Sequence, residues 1–316
     1  MSYIELHARS AFSFLRGSAQ PSELASVAAH LDLPALALCD RDGLYGTPRF
    51  TSASAEVGVR PIVGCELTLT SGHILPVLVE NRRGYNNLCT LLTRAHLRAA
   101  KGQCAIAIGE LPEFAEGLVA LAGKGAPIPD LVRTFGQANV FVELQRHRLR
   151  GEERTIRELT ALAQQHLLPL LATNGVCYAT AAGRPALDAF TCLRHHTHLD
   201  AAGRLLSPNS ERRLKSAAEM TALFHDIPEA IHNTLTLADR LTFRLADLGY
   251  HFPSYLTPDG STQEAFLRRV SYEGAHRRYG SEAATSRGTD FPAGFEPCRC
   301  SDVGDADPLM LRVVAI

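Results

Sequence analysis

Apolar residues follow two alternating patterns along the chain up to about Gly183. Short, near-continuous apolar runs predict strands at Tyr3–Leu6, Ala35–Cys39, Pro61–Cys65, Ile74–Val79, Leu118–Leu121, Val140–Leu144 and Leu167–Thr173. Between several of them, apolar residues recur at helical spacing. Pro21–Leu31 sets Leu24, Val27, Ala28 and Leu31 on one face, with Ser18 or Ser22 near its start. Thr47–Val57 is a predicted helix of small residues, Tyr85–Ala99 aligns Leu88, Leu91, Leu92 and Ala95, and Glu152–His166 leads into the last strand. Runs so uniformly apolar suit a sheet covered on both faces. Repeated strand–helix units predict a parallel sheet, open or closed into a barrel. Beyond Gly183 the pattern turns helical, at Pro185–Leu193, Glu219–His225 and Pro228–Leu241. From Ser281 to Ile316 no period persists, and Arg287-Gly288, Pro292, Gly294 and Pro297 break it repeatedly, as in a loose tail.

A length of 316 residues accommodates one α/β barrel of about 250 residues with a tail, or two smaller domains. A hydrophobic fraction of 46% excludes disorder of the whole chain. Lys+Arg 32 against Asp+Glu 33 excludes a nucleic-acid binder that relies on bulk charge, while leaving room for a local basic patch. The absence of Trp and an aromatic share of 7% weaken any base-stacking platform. The cysteines (39, 65, 89, 104, 177, 192, 298 and 300) form no C-x-x-C pair, which speaks for buried reduced thiols over a zinc ribbon. The start of the chain has no signal-peptide pattern and no run is long enough to span a bilayer, so the expected location is the cytoplasm, with no membrane partner.

In a βα array, chemistry collects just past the carboxyl ends of strands. That rule selects His7, Arg9 and Arg16 after the first strand; Asp40, Arg41 and Asp42 after the second; and Glu66 after the third. It adds Gln145, Arg146 and His147 after Val140–Leu144, and Asn174 after the last strand, all expected on one rim. One His, two Asp and one Glu could ligate a cation. The intervening arginines oppose it, and Asp40-Arg41-Asp42-Gly43 reads equally as a polar turn. Asp40-x-Asp42 and Asp305-x-Asp307 as two-metal pairs rank below that turn reading, and His195-His196-x-His198 reads as a helix C-terminus before it reads as a metal tract. No phosphate-binding Gly-rich loop, nucleophile elbow or zincin helix is present.

At these residues the chain resembles a known family. Leu6-His7-x-Arg9-Ser10 with Phe12-Ser13-Phe14-Leu15-Arg16-Gly17 resembles the opening of the PHP (polymerase and histidinol phosphatase) domain. Leu38 to Gly46, Gly64-Cys65-Glu66, Gly84 to Leu88, Val142 to His147 and Leu171 to Val176 continue the resemblance. Phe14-Leu15-Arg16-Gly17, Glu143-Leu144-Gln145-Arg146-His147 and Leu248 to Pro253 are most similar to the error-prone branch of bacterial C-family DNA polymerases, relatives of the DNA polymerase III α subunit. The resemblance runs over roughly residues 1 to 280. It implies an α/β fold: a distorted (βα)7 PHP-type barrel with C-terminal helices over 1–250, a start of the polymerase region over 251–280, and an atypical tail over 281–316. Glu264 to Arg269 and Glu273 to Tyr279 resemble the lead-in to a polymerase palm.

Metal-bearing PHP domains resemble one another in a rim of His, Asp, Glu and Cys ligands. Here His7, Asp40 and Glu66 match such positions, but arginine stands at 9, 16 and 41, Ile74 stands near another ligand position with His73 one place off, and a late Asp-x-His pair falls on Gly175 and Cys177. A guanidinium stays protonated and has no lone pair to donate. Three of them should repel divalent cations and neutralise Asp40 and Glu66 through bidentate hydrogen bonds. The resemblance therefore implies a degenerate rim of His7, Arg9, Arg16, Asp40, Arg41, Glu66, His147, Asn174 and Cys177, without metal or catalytic residue. It implies a non-catalytic scaffold in an error-prone polymerase acting in damage-tolerant replication, ending before the palm carboxylates by termination or a frame change. Mg²⁺, DNA, replication accessory proteins and the remaining polymerase would belong to the full-length parent. The alternative is a PHP metal-dependent phosphoesterase or 3′–5′ exonuclease using His7, Asp40, Glu66 and His147.

Overall fold

The computed structural model describes residues 2–100, 102–249 and 255–279. Strings that fall beyond residue 279, including the tail, Cys298, Cys300 and Asp305-x-Asp307, lie outside the described residues. The chain divides into two compact units after Gly249.

In the first unit, seven strands pair in chain order: β1 (Glu5–Ala8), β2 (Ala35–Arg41), β3 (Arg60–Thr68), β4 (Ile74–Val79), β5 (Leu118–Ala122), β6 (Val140–Gln145) and β7 (Leu170–Thr173). The ring is nearly closed by a bridge between Ala8 and Val176 beyond β7, where Arg9 N donates to Val176 O and Val176 N to His7 O, both at 2.9 Å. The sheet is mixed, which corrects the expectation of a purely parallel one. β4 runs antiparallel to both β3 and β5 because only a short turn with Gly72 at φ +82° separates it from β3, and a parallel return needs a crossover of a dozen or more residues. Helices flank the strands at Pro21–His30, Thr47–Val57, Arg82–Arg98, Ile128–Phe135 and Glu152–His166, and then at Arg184–Arg194, Ala217–Leu223 and Pro228–Arg240.

All seven strands feed one interior cluster, with Leu6, Ala37, Ile62, Leu78, Val119, Phe141 and Leu171 in contact with Leu237 and Leu241. Where one strand supplies several members, as Ala35, Ala37 and Cys39 or Val119 and Leu121, they stand at every second position, as a pleated strand requires. The helix Pro228–Arg240 closes the floor at the strand starts, where Asn233 Nδ2 donates to Leu170 O at 2.8 Å and Ile4 N to Thr234 Oγ1 at 3.3 Å. A second, larger cluster joins the outward strand residues to the flanking helices through Leu24, Phe50, Leu88, Leu131 and Ile156. The described cysteines are unpaired; Cys39, Cys65, Cys177 and Cys192 are buried.

The described part of the second unit carries the helix Gln263–Tyr279, with Arg269 bridging Asp259 at 2.7 Å and Glu273 at 3.1 Å. Among the described residues no helix is long and apolar enough to cross a membrane.

Candidate functional site

The barrel's inward positions change from apolar to polar toward the carboxyl ends of the strands. On β2 the inward series Ala35, Ala37 and Cys39 precedes Arg41, which reaches the mouth; on β3 Ile62 precedes Glu66; on β6 Phe141 precedes Glu143 and Gln145. On β1 the alternation breaks. Leu6 belongs to the floor, yet the next residue, His7, meets Glu66 and Glu143 at the mouth. Two successive inward residues are what a bulge allows, and the β1–β2 register is irregular between Glu5 and Ala8.

His7 is the hub. Its Nε2 lies 2.8 Å from Glu66 Oε1 and its Nδ1 2.6 Å from Glu143 Oε1. With a carboxylate on each ring nitrogen, the stable form is the imidazolium, which donates twice and offers no lone pair. Burial alone would lower its pKa, but Glu143 and Glu66 outweigh that and raise it to about 10. Glu66 also takes Arg41 Nε at 2.7 Å and has Arg9 Nε at 3.5 Å. Burial would push Glu66 up, but Arg9, His7 and Arg41 hold it well below the usual carboxylate range. Glu143 is likewise lowered by His7 against its burial, and it accepts further hydrogen bonds from Gln145 Nε2 at 3.0 Å and Thr173 Oγ1 at 2.5 Å.

Other rim residues take different roles. Among the described residues no arginine pairs with Asp40, contrary to the expectation of bidentate pairing. Its oxygens accept from Ser10 N (2.8 Å), Ser10 Oγ (2.8 Å) and Ser13 Oγ (2.6 Å), so it ties the β1 loop to β2. A Cβ on Gly46 would stand 2.5 Å from Asp40 Oδ2, so only glycine lets the following loop close there. Arg41 bonds Glu66 through Nε, not as a fork. Asp42, at φ +52°, accepts from Thr68 N and Oγ1 at 2.7 and 2.6 Å, which makes Asp40-Arg41-Asp42-Gly43 a structural turn.

Arg16, expected to neutralise a carboxylate, donates to Phe14 O at 3.4 Å and pairs with no carboxylate among the described residues. Burial and the nearby Arg41 and Arg194 lower its pKa. Arg146 is also corrected: being one residue past inward Gln145, it points outward, bonds Asp226 at 2.5 and 2.8 Å, and lies 5.1 Å over the Phe224 ring. His147 Nε2 donates to Asn174 O at 2.8 Å, and burial with Arg212 and Lys215 nearby lowers its pKa to about 4. Asn174 fastens the loop after β7, donating to Glu211 O and Arg213 O at 2.7 and 2.6 Å and accepting from Lys215 at 3.0 Å. Cys177 Sγ accepts from Arg9 Nη2 at 3.0 Å. His195 and His196 follow the helix Arg184–Arg194 directly.

Two carboxylates escape the strand-end rule. Glu143 lies inside β6 and is the second partner of His7. Glu5 lies in β1, is buried, and accepts from Tyr3 Oη, His7 N and Asn174 N at 2.8–2.9 Å; burial raises it to about 7. A signal for both exists: a charged residue within a strand expected to be covered on both faces must find a partner there.

The donor set as arranged does not fit a metal cluster. His7 presents N–H groups, Glu66 is shared by three cations, Asp40 is held by serines and His147 faces a carbonyl. Among the described residues no group of three or more His, Cys, Asp or Glu side chains is placed to hold an ion.

Residues 5–159, which build most of this seven-stranded barrel, match the model of the PHP domain, and the chain carries that domain. The chain's relatives are bacterial polymerases. It is 36% identical to an error-prone DNA polymerase of Mycolicibacterium paratuberculosis, over 88% of this chain and 28% of that protein. It is 35% identical to one of Symbiobacterium thermophilum, over 89% of this chain and 29% of that protein. The chain thus spans less than a third of the length of these relatives, and corresponds to their N-terminal portion. Among solved structures, an amidohydrolase from Chromobacterium violaceum with bound sulfate and no metal aligns at 14% identity and a TM-score of 0.42, over 56% of this chain and 88% of that one.

Proposed function

We propose that this chain is the N-terminal PHP part of an error-prone DNA polymerase, and that its barrel mouth is a salt-linked plug that holds loops in place without chemistry of its own. The single observation that carries the reading is the imidazole of His7, gripped by a carboxylate at each nitrogen while Arg9 and Arg41 crowd one of them. Side chains with permanent charge and no lone pair stand where ligands would be needed. The unit would act as a scaffold for the polymerase core, with the helix Gln263–Tyr279 leading toward the palm. Copying of damaged DNA in translesion synthesis and repair, with Mg²⁺ and deoxynucleoside triphosphates, would belong to the whole polymerase in the cytoplasm, as would contacts with DNA and accessory proteins.

The test is elemental analysis of the chain purified with added zinc, manganese or iron, together with an assay on single-stranded DNA and a simple phosphodiester. The expected result is far less than one metal per chain and no hydrolysis. One tightly held metal per chain, with hydrolysis that Asp40→Ala abolishes, would replace this reading with the phosphoesterase or exonuclease one.

A further inference from the structure

The loops after β1 and β2 turn large apolar side chains outward. Phe14, between β1 and the helix Pro21–His30, is 75% exposed, and Tyr45, between β2 and the helix Thr47–Val57, is 63% exposed. The two loops form one lip: Ser10 and Ser13 donate to Asp40, Arg41 N donates to Ser13 Oγ at 3.1 Å, and Gly46 closes against Ser10. The end of the helix Arg184–Arg194 joins them, where Arg194 Nη1 donates to Leu15 O at 3.2 Å and Leu193 is 61% exposed. Phe14 and Leu15 stand at φ +20° and +61°, a backbone region costly for residues with a side chain. Surroundings must impose such strain, and what it displays here is an aromatic ring in water. Tyr45 is also held in place, since a Cβ on Gly43 would collide with its ring, which lies directly on the glycine backbone.

The cations of the lip lack acidic partners. Arg16 donates to Phe14 O, Arg194 to Leu15 O and His195 Nε2, and neither pairs with a carboxylate among the described residues. Burial and neighbouring guanidinium groups lower the pKa of both: Arg41 and Arg194 act on Arg16, Arg41 and Arg9 on Arg194. The carboxylates that act on Arg16 are engaged elsewhere, Asp42 by Thr68 and Glu66 by His7 and Arg41. Exposed aromatic rings beside arginines are the composition of the energetic centres of protein interfaces.

We propose that this lip is the docking surface for an acidic segment of a separate protein, with apolar side chains against Phe14 and Tyr45 and carboxylates on Arg16 and Arg194. Single-stranded nucleic acid suits it less, because Leu193 offers no face for a base and a phosphate backbone asks for cations along a track. The continuation of this chain is the less suitable occupant too. The last residues of the first unit are fastened at the floor end of the barrel, where Thr242 N donates to Glu80 O at 3.0 Å and Arg60 to Ala238 O and Leu241 O at 2.9 Å, so the chain leaves that unit away from the lip. The inference goes beyond the plug reading and holds whether or not the mouth takes a metal.

The test is selection from a library of displayed random peptides on the full chain at physiological ionic strength, followed by fluorescence anisotropy of the most enriched peptide. The enriched sequences should combine Asp or Glu with aromatic or aliphatic residues, and the peptide should saturate one site per chain. Phe14→Gly and Arg16→Gln should each weaken it about ten-fold or more. Phe14→Gly removes the ring without endangering the loop, because glycine adopts a positive φ freely, and its unfolding midpoint should not fall below the parent's. Exchanging the acidic residues of the peptide for Asn and Gln should abolish binding, and Arg154→Gln, on the outer helix Glu152–His166, should leave it unchanged. The proposal is overturned if acidic peptides are not enriched, or if the enriched peptide binds Phe14→Gly and Arg16→Gln as it binds the parent. It is also overturned if a single-stranded oligodeoxynucleotide binds more tightly than any selected peptide and loses that binding in both variants, which would make the lip a nucleic-acid surface.

Discussion

The floor and the mouth of this barrel lie on the same strands, one to four residues apart, and are built from opposite materials. At the floor, Leu6, Ile62, Phe141 and Leu171 meet side chains of their own kind and are capped by Leu237 and Leu241. At the mouth, His7, Arg41, Glu66 and Glu143 occupy the next positions along. Apolar contact has no direction, so a floor residue can be exchanged for another of similar volume at modest cost. A buried ion network is directional and mutually dependent, and removing one member leaves the others desolvated and unpaired. Substitutions at the mouth and at the floor of this barrel should therefore act by different rules.

Breaking the hub of the mouth should give the largest effect. Glu66→Gln leaves Arg9, Arg41 and His7 facing a neutral group, and a loss of about 3–5 kcal/mol in denaturant unfolding is expected. A loss under about 1 kcal/mol would show that the network is solvated instead of buried. Next comes the floor, where Leu6→Ala should cost about 2–5 kcal/mol by cavity formation, with no dependence on pH.

The pH profile separates the two regions. His7 is held at about 10 against an ordinary 6.5, so its stabilisation is complete below pH 6.5 and is lost as pH rises through about 10. Glu66 and Glu143 are depressed, so their contribution is present above the ordinary carboxylate range and is lost on acidification. The stability gap between the parent and His7→Gln should shrink between pH 6.5 and 10 while the Leu6→Ala gap stays flat. A His7→Gln gap that is also flat there would mean an uncharged imidazole.

Gly46→Ala comes below these, at about 1–3 kcal/mol, because a methyl group would press on the Asp40 carboxylate and must displace it from its serines. The smallest effect belongs to the outer surface: Arg154→Ala, which removes an exposed pair with Glu158, should leave the unfolding midpoint unchanged within error.

Much of the architecture is legible in the chain. Thr47–Val57, Ile74–Val79 and Glu152–His166 form where the periodicity puts them. The apolar run at β7 overstates the strand at its start, because Leu167 caps the preceding helix at φ +53° and Leu168 lies in the connection that follows. The helix Ile128–Phe135 escapes the periodicity: it is short, and Pro127 and Pro129 look like loop residues until the second is recognised as a first-turn proline. At the site, the rule of strand ends selects His7, Arg9, Arg41 and Glu66, which the structure brings together, and also Arg16, Arg146 and His147, which it sends elsewhere. Glu143 escapes because it lies inside Val140–Gln145, whereas the rule reads only residues past the end of a strand.

Chemical type is settled by the residues alone. Arginine at 9, 16 and 41 carries charge and no lone pair in any fold, and the apolar runs demand burial wherever they pair. Which partner each charge meets is decided by tertiary structure. Glu66 and Glu143 lie 59 and 136 residues from His7, and only strand register and the irregularity in β1 turn His7 inward beside Leu6 to meet both. Local sequence specifies a side chain's chemistry, but distance, dielectric and the count of neighbouring charges are properties of the closed barrel.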